Sequence, residues 1–119
     1  MTILVPSTDG VEVALHDLGG DGPPLLVFHA TGFHGRSYQA IADELHDHFH
    51  VWAPDLRGHG DARTPDMPLP WKGMGEDVLA VIDGLGVDEP VRAVGHSMGG
   101  AAVVRAELTR PGTFRGAWL

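Results

Sequence analysis

The chain has 119 residues, 43% of them hydrophobic, which allows one domain at most with enough length for a true core. Eight basic against sixteen acidic residues give a formal net charge of −8 with no basic stripe, a balance that argues against nucleic acid and anionic membrane as partners. Cysteine is absent, which removes disulfides, thiolate metal sites and cysteine nucleophiles.

The N-terminus lacks a basic segment followed by a long apolar stretch, so no signal peptide is expected. No apolar run approaches the length of a membrane span, and a cytoplasmic location is the expectation. Ile3-Leu4-Val5 and Val11 to Leu15 are β-like runs on either side of an Asp-Gly turn signal, and they predict an opening hairpin. Residues 19–24 are a Gly/Pro loop. Leu25-Leu26-Val27-Phe28 is apolar at every position, the pattern of a strand buried on both faces.

Tyr38, Ile41, Ala42 and Leu45 fall at helical spacing, with Ser37 as the expected N-cap. Phe49 to Ala53 predicts a strand ended by Pro54. Residues 58–73 have no periodicity and predict a long surface loop. Met74, Val78, Val81, Ile82 and Leu85 define one face of a helix closed by glycines near its end. A strand over Val91–Val94, a helix from Gly100 to Arg110 and a strand over Phe114–Leu119 complete the order. Strands alternating with helices after a hairpin imply a three-layer α/β/α arrangement around a mainly parallel sheet.

Between the strand and helix at 91–110 lies Gly95-His96-Ser97-Met98-Gly99. A Gly-x-Ser-x-Gly sequence in that setting is a nucleophile elbow: a strained turn exposes the serine oxygen, and only small residues fit two positions away on either side. Ser97 is the nucleophile candidate, against the plainer reading of a helix N-cap. The Met98 N–H opens the following helix, whose N-terminal dipole favours negative charge. Serine hydrolysis also needs an imidazole base and usually an acid to orient it, yet none of residues 98–119 is histidine.

Three motifs make the chain resemble the N-terminal part of an α/β-hydrolase-fold enzyme across nearly its whole length. They are Gly-His-Ser-Met-Gly-Gly at 95–100, Asp-Leu-Arg-Gly-His-Gly at 55–60, and Leu-Leu-Val-Phe-His-Ala-Thr-Gly-Phe at 25–33. The resemblance implies a small-molecule ester, thioester, amide or related substrate, no cofactor, and a Ser97 acyl intermediate. It implies an oxyanion hole built from the Met98 N–H with Thr31 or Phe33. His29, Gly95, Gly99 and His96 are implied as structural support for the site.

Two positions depart from the family pattern: Ala30 stands where glycine is usual, and Ala62 where serine is frequent. The family fold has eight strands, a lid after the sixth, and its acid and histidine still later. Residues 1–119 are therefore expected to be an N-terminal part ending in about the sixth strand, without lid, acid or base. An open edge at the last strand is expected to favour self-association. The alternative is a non-catalytic α/β-hydrolase-like binding module or pseudogene product.

Other readings are weaker. His46, His48 and His50 with Asp43 and Asp47 straddle a helix end and a strand start, so no metal site is expected. Asp55 and Arg57 are read as architectural, and Asp77 as stabilising a helix terminus. No dinucleotide or P-loop glycine motif occurs.

Overall fold

A computed structural model describes all of residues 1–119. Six strands form one sheet: β1 (Thr2–Pro6), β2 (Glu12–Gly19), β3 (Pro24–Phe28), β4 (His50–Asp55), β5 (Val91–Gly95) and β6 (Phe114–Trp118). Their spatial order is β1-β2-β4-β3-β5-β6. The hairpin pairing β1–β2 and the β2–β4 pairing are antiparallel; β4–β3, β3–β5 and β5–β6 are parallel. The helices are α1 (Gln39–Glu44), preceded by a 3₁₀ turn at Gly35–Tyr38, α2 (Trp71–Leu85) and α3 (Met98–Thr109).

The apolar run of β3 explains the layering. Successive side chains of a strand point to opposite faces, so a strand without polar positions must be covered twice. Leu26 and Phe28 enter the larger core, together with Met74 and Val78 of α2 and Val103 of α3. Leu25 and Val27 enter a smaller core with Tyr38 and Ala42 on the other face. Truncating any one of these to alanine would cost about 2–5 kcal/mol. Helix α2 buries Met74, Val78, Val81 and Ile82 on one face, as its spacing predicts, and ends at Gly86 in the left-handed conformation.

Several local expectations need correction. Ser37 is not the cap of α1; it lies inside the 3₁₀ turn, where its Oγ accepts the His34 N–H at 3.3 Å. Ile41 is exposed rather than buried. The tighter 3₁₀ turn rotates the chain more per residue, so the face extrapolated from Tyr38 no longer reaches Ile41. Strand β4 continues through Pro54 to Asp55. Its parallel pairing with β3 stops at Trp52, so Pro54 occupies a stretch paired on one side only, where a missing N–H is tolerated. The loop expected over 58–73 ends earlier, with α2 beginning at Trp71.

Asp77 is no terminal dipole partner. It is fully buried within α2, and its carboxylate takes the Arg57 guanidinium through Nε at 3.0 Å and Nη2 at 2.8 Å, and the Arg57 N–H at 2.9 Å. Arg57 is itself buried and also donates to Thr8 Oγ1 at 2.9 Å and Asp9 at 3.1 Å. The pair ties the β1–β2 turn, the segment after β4, and α2 together. Asp55 and Arg57, expected to be architectural, are so through different partners.

At the far side, β6 pairs only with β5. Trp118, Leu119 and, on α3, Leu108 are exposed beside that free edge.

Candidate active site

The segment joining β5 to α3 is two residues long, His96 and Ser97. Ser97 has φ 54° and ψ −110°, and it is exposed. Besides Ser97, only Asp9, in the hairpin turn, is a non-glycine residue with positive φ. Such a conformation costs on the order of 1–3 kcal/mol and persists only where the surroundings enforce it.

The enforcement is visible in the flanking glycines. A Cβ on Gly99 would collide with the Phe28 carbonyl oxygen, and one on Gly95 would lie 2.5 Å from the Gly100 Cα. The turn therefore sits directly on the end of β3, a contact reinforced by the His96 N–H bonding Phe28 O at 3.0 Å. Ser97 occupies the N-cap position of α3, and its Oγ makes no capping hydrogen bond. The Met98 N–H, first in that helix, has no acceptor in the chain.

The loop after β3 is built around His29, which is fully buried. Its Nε2 accepts the Leu56 N–H at 3.0 Å, so its proton resides on Nδ1, which donates to Ala30 O at 2.8 Å. Burial pushes the His29 imidazole below its ordinary pKa, only partly opposed by the Ala30 carbonyl, and keeps the ring neutral. Phe33 N–H donates to the same Ala30 oxygen at 3.0 Å, closing a turn with Gly32 at φ +82°, as a type II turn requires.

This geometry separates the two residues between which the sequence did not choose. The Phe33 amide is already engaged with the Ala30 carbonyl. The Thr31 amide has no partner in the chain and is exposed. Because a trans peptide holds C=O and N–H on opposite sides, pinning the Ala30 carbonyl turns the Thr31 N–H the other way. Ala30 does not have positive φ, so the glycine usual at this position is dispensable here.

Residues 25–117 match the model of the alpha/beta hydrolase family. The chain belongs to that family. It is 37% identical over 92 residues to the magnesium-chelatase 30 kDa subunit of Rhodobacter capsulatus, covering 76% of this chain and 32% of that protein. It is 37% identical over 101 residues to the probable protein phosphatase methylesterase 1 of Caenorhabditis elegans, covering 81% and 28%. Among solved structures, a thermophilic esterase from Thermogutta terrifontis superposes with a TM-score of 0.87 at 27% identity, covering 98% of this chain and 44% of that one. The chain thus spans about a third of the length of these two curated relatives.

Within this alpha/beta hydrolase framework, Tyr38 is the residue that sequence reasoning placed in the core without seeing its polar end. Its hydroxyl accepts the Ala30 N–H at 3.1 Å and lies 2.8 Å from His96 Nδ1. A lone tyrosine opening a helical pattern directly after the candidate oxyanion loop was the available signal. Phe33, exposed, sets the edge of its ring against His96, with centroids 5.6 Å apart.

His16, His46, His50 and His59 are engaged elsewhere. His59 Nδ1 donates to Arg57 O at 3.0 Å, His46 bonds Asp43 O, and His50 bonds Asp17 at 2.7 Å. Within the group at 43–50, His46 bonds Asp43 O and the Asp47 carboxylate, whereas His50 bonds Asp17 outside it. His16, Asp55 and Asp61 bring ligand-type atoms within 4.8 Å of one another. The Asp55 carboxylate, however, already accepts Gly35 N–H at 2.7 Å, Asp61 N–H at 2.8 Å and His16 Nε2–H at 2.8 Å. Burial pushes the Asp55 carboxyl up, but those donors outweigh it and hold it below the usual carboxylate range. The group acts as a buttress joining β2, β4 and the 3₁₀ turn.

No helix is long and apolar enough to cross a membrane.

Proposed function

We propose that Ser97 is the nucleophile of a serine hydrolase acting on a small ester, thioester, amide or related bond. The observation that carries this reading is the exposed, unbonded hydroxyl of Ser97, held at φ 54° over the first turn of α3. In the reaction Ser97 Oγ attacks the carbonyl carbon as its proton passes to an imidazole base. The Met98 and Thr31 amides donate to the oxygen that becomes negative, typically a contribution of about 3–4 kcal/mol for each such donor. Collapse expels the leaving group, which takes the proton, and water then releases the acyl group from Ser97.

The reading assigns the base and its orienting acid to chain outside residues 1–119. No histidine bonds Ser97 Oγ; His29 is neutral with both nitrogens occupied, and His96 is held by Tyr38. Relatives named as a methylesterase and an esterase favour ester cleavage. A second reading, a non-catalytic binding or assembly module, is favoured by the relative named as a magnesium-chelatase subunit.

Reading the DNA beyond Leu119 and assaying the two chain lengths separates them. The 119-residue chain should hydrolyse aryl esters feebly or not at all, since loss of triad members costs several orders of magnitude. A continuation carrying a late Asp and His should restore turnover, and Ser97→Ala should abolish it. An extended chain that stays inert toward esters, thioesters and amides would favour the second reading.

A further inference from the structure

The candidate oxyanion loop and the Ser97 turn are joined by a side chain that belongs to neither. Tyr38 ends the 3₁₀ turn with its ring buried in the smaller core. A phenol carries one proton. Because the Ala30 N–H donates to Tyr38 Oη, the Tyr38 O–H is left to donate to His96 Nδ1. His96 is thereby an acceptor at Nδ1 with its own proton on Nε2. His96 is bound to the end of β3 through its backbone and immediately precedes Ser97.

Resting on the serine-hydrolase reading, we propose that Tyr38 is a positioning residue that holds the Ala30–Thr31 segment and the Ser97–Met98 turn in register. Two independent pins then fix the peptide that presents Thr31 N–H. His29 holds the Ala30 carbonyl, and Tyr38 holds the Ala30 amide. The Tyr38 pin reaches across to the turn bearing the nucleophile; the His29 pin reaches the segment after β4.

The test is nuclear magnetic resonance on the chain extended through its downstream reading frame, and the readout does not require activity. In Tyr38→Phe, which keeps the ring and removes the hydroxyl, Ala30 amide exchange should rise about 10-fold, the scale of one lost hydrogen bond, while Leu26 in β3 is unchanged. In His96→Gln the side-chain oxygen can accept the Tyr38 proton, so Ala30 should stay protected, whereas His96→Ala, which removes the acceptor, should raise Ala30 exchange.

Unchanged Ala30 protection in Tyr38→Phe, or equal Ala30 protection in His96→Ala and His96→Gln, overturns the proposal. If Tyr38→Phe does not fold, the comparison of His96→Ala with His96→Gln decides. Ser97→Ala should leave every one of these readouts unaltered. A failed nucleophile assignment is thus distinguishable from a failed clamp.

Discussion

Replacing His29 with alanine probes the framework beneath the site, and its cost can be worked from the contacts. The substitution removes the acceptor of the Leu56 N–H and the donor to the Ala30 carbonyl. A buried donor left unpaired costs about 1–3 kcal/mol, and the second bond contributes about 1 kcal/mol because Phe33 still serves that carbonyl. The vacated ring space adds about 1 kcal/mol if the site does not collapse. The sum is about 3–5 kcal/mol, read as a lower urea midpoint at unchanged slope.

The pH dependence supplies an independent sign. The folded His29 pKa is depressed, first by burial. Between the ordinary value of about 6.5 and the folded value, the unfolded chain binds a proton that the folded chain refuses. Stability from this residue is therefore complete above about pH 6.5 and declines as pH falls below it. The His29→Ala variant should lose that part of the acid slope. A loss under about 1 kcal/mol with an unaltered slope would refute the account of the ring as a buried, doubly bonded support.

Asp55→Asn should cost about 2–4 kcal/mol, because an amide cannot accept from Gly35, Asp61 and His16 together. Since the Asp55 carboxyl is held low, its stabilisation is present above about pH 4 and lost as pH falls through the folded value, so the variant should lack that acid limb in chemical denaturation. Asp77→Asn leaves the buried Arg57 charge with only the half-exposed Asp9 as its ionic partner and should cost about 3 kcal/mol by thermal unfolding, with Arg57→Met in the same chain recovering part of it. The free edge of β6, with Trp118 and Leu119 exposed beside it, should make the 119-residue chain self-associate. A clean, thermally stable monomer in size-exclusion chromatography would count against that expectation.

What was legible in the sequence follows from how local each signal is. The β3 run and the Gly-x-Ser-x-Gly turn are written in consecutive residues, because strand burial and turn sterics act over a few positions. The choice between Thr31 and Phe33 was not legible, since it depends on which amide a turn consumes. Ser37 and Ile41 were misplaced because one 3₁₀ turn shifts the helical phase. The Arg57–Asp77 pair is formed by residues twenty apart in sequence, brought together only by packing. A signal was present, however: Asp77 sits beside Val78 inside the apolar face of α2, where an unpaired charge is not tolerated. The Tyr38 hydroxyl bond to His96 spans fifty-eight positions, and its one local trace is a lone tyrosine after the candidate oxyanion loop.

The central claim is that the Ser97 oxygen is the reacting atom, and adduct mapping tests it most directly. The chain extended through its downstream reading frame would be treated with a fluorophosphonate, digested, and sequenced by mass spectrometry. The account predicts a single phosphonyl adduct on Ser97 within the peptide spanning the β5–α3 turn, absent from Ser97→Ala and much slower in the 119-residue chain. An adduct on any other residue, or equal labelling of Ser97→Ala, would contradict it.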